Sequence, residues 1–323
     1  MRSIYDKGGL HSIRHYAERG SFIAQSYLGW SYFHGESVPQ DNEAAFSWFL
    51  KAAEQGDDFS QNFVGTMYDK GRGVSRDLLE AIKWLRRAAV QGYPLAQYNL
   101  AVMYFNGRGT DRDVPEAMKW TLLAAEQGEM RAQLALGRVY YHGDVAKRDL
   151  QKAIKWLRVA ANQGHPEAQY MIGVSYHEGK GVTRNQIEAM KWFRKGTEQG
   201  DARSQAAMGY IYGIEDDLLC DHFESAKWLR MAAEQGHLTA QYNLGDLYKD
   251  GREGFACDLT EAMKWFRMAA EQGDAESQFY LGRALHKGEG VTRDPEEGLK
   301  WLRMSARQGY SDAQASLRDL DTE

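Results

Sequence analysis

Residues able to do chemistry are plentiful in this chain, but their spacing assigns them to other work. Glycines separated by one residue, as in Gly71-Arg72-Gly73 and Gly179-Lys180-Gly181, could cradle a phosphate on backbone N–H groups. A phosphate loop needs a longer glycine-rich stretch closed by Lys-Ser/Thr and set between a strand and a helix. Here the glycines recur at inter-helix turns, and no strand-like run precedes them. Among nine histidines, His34 and His142 occupy equivalent positions, and His177 stands one place earlier in its own stretch. None has the clustered spacing, such as His-Glu-x-x-His, that holds zinc. There is no Gly-x-Ser-x-Gly elbow and no Ser-x-x-Lys motif, and neither cysteine sits in a nucleophile's context. The many carboxylates read as solvated helix faces and caps. The expectation is therefore no catalytic residue, no metal ion and no small-molecule cofactor.

Two cysteines, Cys220 and Cys257, are too few for a disulfide framework. Each precedes an aspartate at matching positions of successive repeats, where packed helices stand roughly 8–10 Å apart. A bridge needs Cα atoms within about 7 Å, so two thiols are expected, with a bridge as the lesser alternative. The 323 residues carry 26% charged side chains and a formal charge of −5, which argues against a dedicated nucleic-acid binder. No apolar run is long enough to span a bilayer. The stretch from Met1 to Lys7 has no apolar segment of the signal-peptide kind, and the expectation is a cytoplasmic protein, with a periplasmic or secreted host-contact or cell-envelope factor as the alternative.

The elements that must position all these residues announce themselves as a period. A glycine closing Gln-Gly or Arg-Gly falls at Gly20, Gly56, Gly92, Gly128, Gly164, Gly200, Gly236, Gly273 and Gly309, 36 residues apart with one step of 37. Eight of the nine tryptophans keep the same beat, from Trp48 to Trp301. Such a period signals a repeat architecture. Each unit reads as two helices. The first carries Ala24-Gln25…Leu28-Gly29…Tyr32 and its counterparts, an apolar stripe beside a glycine that lets a neighbouring helix approach. In the second, Ala262, Trp265, Phe266, Ala269 and Ala270 form a buried stripe, while Lys264, Arg267 and Glu271 face water. The closing glycine suits a left-handed C′ position. Asp41, Asp77, Asp113, Asp149, Asn185, Asp221, Asp258 and Asp294 stand where an N-cap belongs. A glutamate three residues later in six of the eight units resembles a capping box. Pro295 occupies a first helical position.

Eight helix pairs follow: 21–56, 57–92, 93–128, 129–164, 165–200, 201–236, 237–273 and 274–309. A lone second-type helix precedes them (within 1–20, from about Ile13 to Arg19) and a lone first-type helix follows (within 310–323, from Ser311 to about Leu320). The extra residue of the longer unit falls in the loop from Gly251 to Cys257. Since one unit cannot bury its own stripe, neighbours must stack into a continuous core. The expectation is one continuous all-α domain.

The unit A-Q-x-x-L-G-x-x-Y, a glycine turn, D-x-x-E-A-x-K-W and A-A-E-Q-G resembles the Sel1-like repeat, a relative of the tetratricopeptide repeat, over almost all of residues 21–309. The resemblance implies a right-handed α/α superhelical solenoid whose concave groove is lined mainly by first helices. It also implies an adaptor or scaffold for protein complexes, of a kind found in many bacteria and in several cases tied to host contact. Some cysteine-rich relatives are linked to β-lactam binding, which raises a cell-wall hydrolase as a remote alternative. Those relatives carry a cysteine pair in each repeat, and this chain does not. Ala101 replaces the first-helix glycine in the third unit, Leu285 replaces the tyrosine in the eighth, and Gly213-Ile214-Glu215-Asp216-Asp217 lacks the usual loop glycines in the sixth.

Specificity in a repeat protein is expected where residues vary while their neighbours repeat. By similarity to tetratricopeptide repeats, two first-helix columns would face the groove. They supply the candidate partner-binding residues Tyr27, Trp30, Asn99, Arg138, Tyr210, Asn243, Asp246 and Arg283. Tyr, Trp and Arg commonly anchor interfaces, and Asn can hydrogen-bond an extended backbone. The expected partner is a protein or peptide.

Overall fold

The computed structural model describes residues 9–214, 220–252 and 254–320, which form eighteen α-helices. Residues 215–217 of the sixth-unit loop and Glu253 lie outside the described residues. Among those described no strand occurs, and one isolated bridge joins Arg252 to Phe255. The helices fall into two compact units, residues 1–163 and 164–323. In the first, a lone α1 (Gly9–Glu18) precedes four pairs: α2 (Phe22–His34) with α3 (Asn42–Glu54), α4 (Asp58–Lys70) with α5 (Leu78–Val90), α6 (Pro94–Asn106) with α7 (Val114–Glu126), and α8 (Met130–His142) with α9 (Leu150–Asn162). The second unit has the pairs α10 (Pro166–Glu178) with α11 (Gln186–Thr197), α12 (Ala202–Tyr212) with α13 (His222–Glu234), α14 (Leu238–Asp250) with α15 (Leu259–Glu271), and α16 (Ala275–Lys287) with α17 (Pro295–Arg307). A lone α18 (Ser311–Leu320) closes it.

Within a unit, each pair packs along its length and then against the next pair, so the core is a row of small clusters. The stripe on α15 is buried as its pattern requires, with Trp265 and Phe266 7% and 0% exposed. Close approach within seven of the eight pairs depends on the first-helix glycine. A Cβ placed on Gly65 would lie 2.7 Å from Leu85 Cγ and 3.1 Å from the Ala81 carbonyl oxygen. That is well inside ordinary carbon contact.

Connections between pairs are tight because backbone N–H groups at the junction bond back to the preceding helix. After α3, Gly56 is left-handed (φ +101°), and Gly56 and Asp57 N–H donate to the Ala53 and Ala52 carbonyls. This is the Schellman arrangement. Asp57 then caps α4 by accepting from Ser60 N–H at 2.9 Å.

All eight N-cap residues of the second helices accept hydrogen bonds from the first turn, as Asp77 does from Leu79 and Glu80 N–H. The capping box is only half formed. The backbone N–H of each cap already donates to the carbonyl of the tyrosine column, at 2.9 Å from Asp41 to Tyr32 and 3.1 Å from Asp77 to Tyr68. The N3 glutamate is thereby released, and its carboxylate turns outward to a lysine, as in Glu80–Lys83 at 2.6 Å, or to a tryptophan, as in Glu116–Trp120 at 2.8 Å. The same backbone bond explains why Leu285 is tolerated, because Asp294 N–H reaches its carbonyl at 2.8 Å. A carbonyl needs no particular side chain.

The conserved-looking beat of glutamine has a structural use. In the first unit Gln25, Gln61, Gln97 and Gln133 are buried, and each donates to an alanine carbonyl near the end of the preceding second helix, as Gln61 does to Ala53 at 3.1 Å. Each also accepts from the glutamine that closes its own pair, for example from Gln91 at 2.8 Å. The second unit repeats the closing bond at Gln169, Gln205, Gln241 and Gln278. The ladder satisfies carbonyls that a helix end leaves without an intrahelical donor.

In the loop lengthened by one residue, Phe255 turns inward (9% exposed) against the rings of Tyr248 and Phe223. Phe255 stands at the loop position that Val74 and Val291 hold in other repeats, so this loop keeps an apolar anchor. Cys220 and Cys257 are not bridged.

Candidate functional site

The eight candidate residues separate into different environments once the helices are packed. In the first unit, Tyr27 is half-buried against the cluster of Ile13, Ala17 and Leu28. Trp30 is also half-buried, its ring 3.9 Å from that of His34 and 5.7 Å from that of Phe63. Both columns therefore begin as packing residues, and Trp30 joins a run of aromatics that continues through Phe49, Phe59 and Phe63. Asn99 directs its amide at a neighbour, donating from Nδ2 to Oδ1 of the buried Asn62 at 2.9 Å. Arg138 is exposed on α8, at the rim of a cavity of about 280 Å³ between α6, α7 and α8.

In the second unit, three candidates converge. Tyr210 on α12 is 55% exposed and stands edge-on to His177 with ring centroids 6.0 Å apart. Tyr210 and Asn243 line two cavities, of about 470 and 330 Å³, and Asp246 lines the smaller. Asp246 accepts ion pairs from Lys249 at 3.2 Å and Arg252 at 3.7 Å, which fixes its carboxylate at the edge of that cavity. Arg283, exposed on α16, lies outside both linings, with its guanidinium 5.4 Å from the centre of the Phe279 ring.

Further residues join these cavities that the variable columns did not bring out. Tyr170, His177, Arg203 and His237 line the larger one, and Arg252 lines the smaller. Arg203 and His237 come from the start of first-type helices, and Arg252 comes from the lengthened loop. His237 is the N-cap of α14, where its ring accepts from Ala240 N–H at 3.3 Å. Burial holds its pKa below the usual histidine value, outweighing the nearby Asp201 carboxylate, and Arg203 pushes in the same direction as burial. His165, capping position of α10, is lowered for the same first reason. Both rings are therefore neutral acceptors or apolar fillers at neutral pH.

Chemically, the arrangement offers aromatic faces, an amide and a fixed carboxylate over shallow concavities. Among the described residues no group of His, Cys, Asp and Glu is assembled to hold a metal ion, and no helix is long and apolar enough to cross a membrane.

The Sel1 repeat matches eight successive stretches, residues 23–57, 59–93, 94–129, 131–165, 166–201, 202–237, 238–274 and 275–310. Among solved structures, c5321, a protective antigen present in uropathogenic Escherichia coli strains and displaying an SLR fold, is 36% identical, with a TM-score of 0.86 over 96% of this chain and 67% of that one. A Sel1 repeat protein from Oxalobacter formigenes is 34% identical, with a TM-score of 0.73 over 96% of this chain and 90% of its own. No match was found among the curated proteins.

Proposed function

Because the chain belongs to the Sel1-repeat family, we propose that it is an adaptor or scaffold that captures a protein or peptide on the first-helix face of its repeats. Sel1-repeat proteins are generally non-enzymatic protein-interaction scaffolds. The observation that carries the finer reading is the convergence of Tyr210, Asn243 and Asp246 on two concavities of the second unit. An exposed tyrosine can contribute a large contact area, and Asn243 can bond a peptide backbone. The charge on Asp246 is already oriented, so binding need not order it.

The test is affinity capture from the native host lysate with the wild-type chain and the double variant Y210A/N243A, each checked by circular dichroism. Truncating a hot spot costs about 2 kcal/mol or more, close to a 30-fold loss of affinity. A protein retained by the wild type and depleted with the variant supports the reading. Identical retention by both refutes it for this face.

The likeness to an antigen of uropathogenic strains favours a second reading, in which the same face meets its partner outside the cell. Fractionation of the native host decides it, since recovery confined to the cytoplasm excludes an external partner.

A further inference from the structure

The repeats obey one packing rule in seven of eight cases, and the exception sits beneath a cavity. In the regular pairs a glycine on the first helix faces Leu or Phe on the second, as in Gly65 with Leu85 and Gly173 with Phe193. The third repeat has Ala101 in place of the glycine, and Thr121 stands where Leu85 stands. Thr121 is shorter than either partner, so Ala101 fits, and space remains above the pair. Both residues line the cavity of about 280 Å³.

A second departure meets the first. Val145 occupies the loop position of Gly73, Gly109 and Gly290, where an added Cβ would run into backbone of the preceding second helix. A valine cannot make that approach, and its side chain lines the cavity instead. Tyr98, Val102, Phe105, Met118 and Val139 supply the rest of an apolar interior.

Size and charge define the guest. A dry cavity of roughly 150 Å³ already accommodates benzene, whereas drug-sized ligands occupy about 300 Å³ or more. The space suits one large side chain. Arg138, His142 and Asp144 bring polar side chains to the lining, and Arg138 is exposed. Arg112 lies over the Phe105 ring at 5.1 Å, adding positive charge outside that wall. Arg131 lies over Tyr98 and pairs with Glu129 at 2.9 Å.

We propose that this cavity receives one aromatic side chain of an acidic peptide segment, with a neighbouring carboxylate of that segment held by Arg138. The proposal rests on the scaffold reading above and names the chemistry of one contact within it.

The probe is N-acetylphenylalanine, whose benzyl group and carboxylate are adjacent, titrated into full-length protein with 13C-labelled Met and Val methyls. Saturable shifts are expected at Val102, Met118 and Val139. N-acetylphenylalaninamide, lacking the charge, should bind about two- to fivefold more weakly, as expected for an exposed ion pair. Arg138→Gln should bring the acid down to the amide's affinity and leave the amide unchanged. The double variant A101G/T121L restores the regular pairing and fills the space, so both probes should lose their shifts while the protein stays folded. Unchanged shifts in that variant, or no saturable shifts in the wild type, overturn the site. Equal affinities for acid and amide overturn the carboxylate contact, whether or not the double variant folds. Loss of partner capture in Y210A/N243A concerns the second unit and leaves this titration intact. A negative titration with capture preserved removes the aromatic guest alone.

Discussion

Replacing Gly65 by alanine should destabilise the protein, and replacing Leu85 by threonine beforehand should reverse the sign. The added Cβ would lie 2.7 Å from Leu85 Cγ, 3.0 Å from its Cδ2 and 3.1 Å from the Ala81 carbonyl oxygen. Carbon atoms pack best at about 3.5–4.0 Å, so the overlap approaches 1 Å on a side chain that is itself buried. Overpacking of this size costs about 1–3 kcal/mol, and replacing a helical glycine by alanine gains up to about 1 kcal/mol. With the full gain, the net loss is about 0–2 kcal/mol. With Leu85→Thr in place, the arrangement becomes that of Ala101 and Thr121. Gly65→Ala should then stabilise by up to about 1 kcal/mol, although Leu85→Thr itself costs about 2–5 kcal/mol. The propensity gain cancels between the two backgrounds, so the coupling between the substitutions is about 1–3 kcal/mol.

Tandem repeats need not unfold in one step, so the assay is native-state hydrogen exchange of amides in α4 and α5 across the four proteins of the cycle. An equal effect of Gly65→Ala in both backgrounds would refute the reasoning, because the cost would then not come from Leu85.

Two other perturbations separate groups that the sequence alone would treat together. Asp77→Ala removes bonds from Leu79 and Glu80 N–H and should cost about 0.5–2 kcal/mol by urea denaturation. Glu80→Ala, whose carboxylate meets the exposed Lys83, should change stability by less than about 0.5 kcal/mol. An equal cost would restore the full capping box. His237 has a depressed pKa in the folded protein, so the unfolded chain takes up its proton first. Its contribution to stability is present above the unfolded value of about 6.5 and is lost as pH falls through that region. His237→Asn keeps a capping side chain and should shrink the fall in melting temperature between about pH 7.5 and about pH 5.5. It should not abolish the fall, since His165 is depressed too.

The helices, their caps and their stops were legible in the sequence because they depend on neighbours within a few residues. A period of 36 residues, closing glycines and cap aspartates each report local backbone geometry. The third-repeat departure at Ala101 was visible too, but its meaning lay in Thr121, which stands twenty residues away. The variable columns include Tyr210, Asn243 and Asp246, which line neighbouring cavities because helical spacing puts them on one side of their helices. Spacing does not fix what a neighbouring repeat places beside a residue. That is why Tyr27 is partly taken up by an aliphatic cluster, Trp30 by aromatic packing and Asn99 by Asn62. The glutamines were legible as letters of the repeat, and only packing revealed their bonds across helix ends. What the sequence determined was where each helix begins, ends and turns its apolar stripe. Tertiary structure decided which varied side chains remain for a partner, because that depends on space left between helices after all their side chains have competed for it.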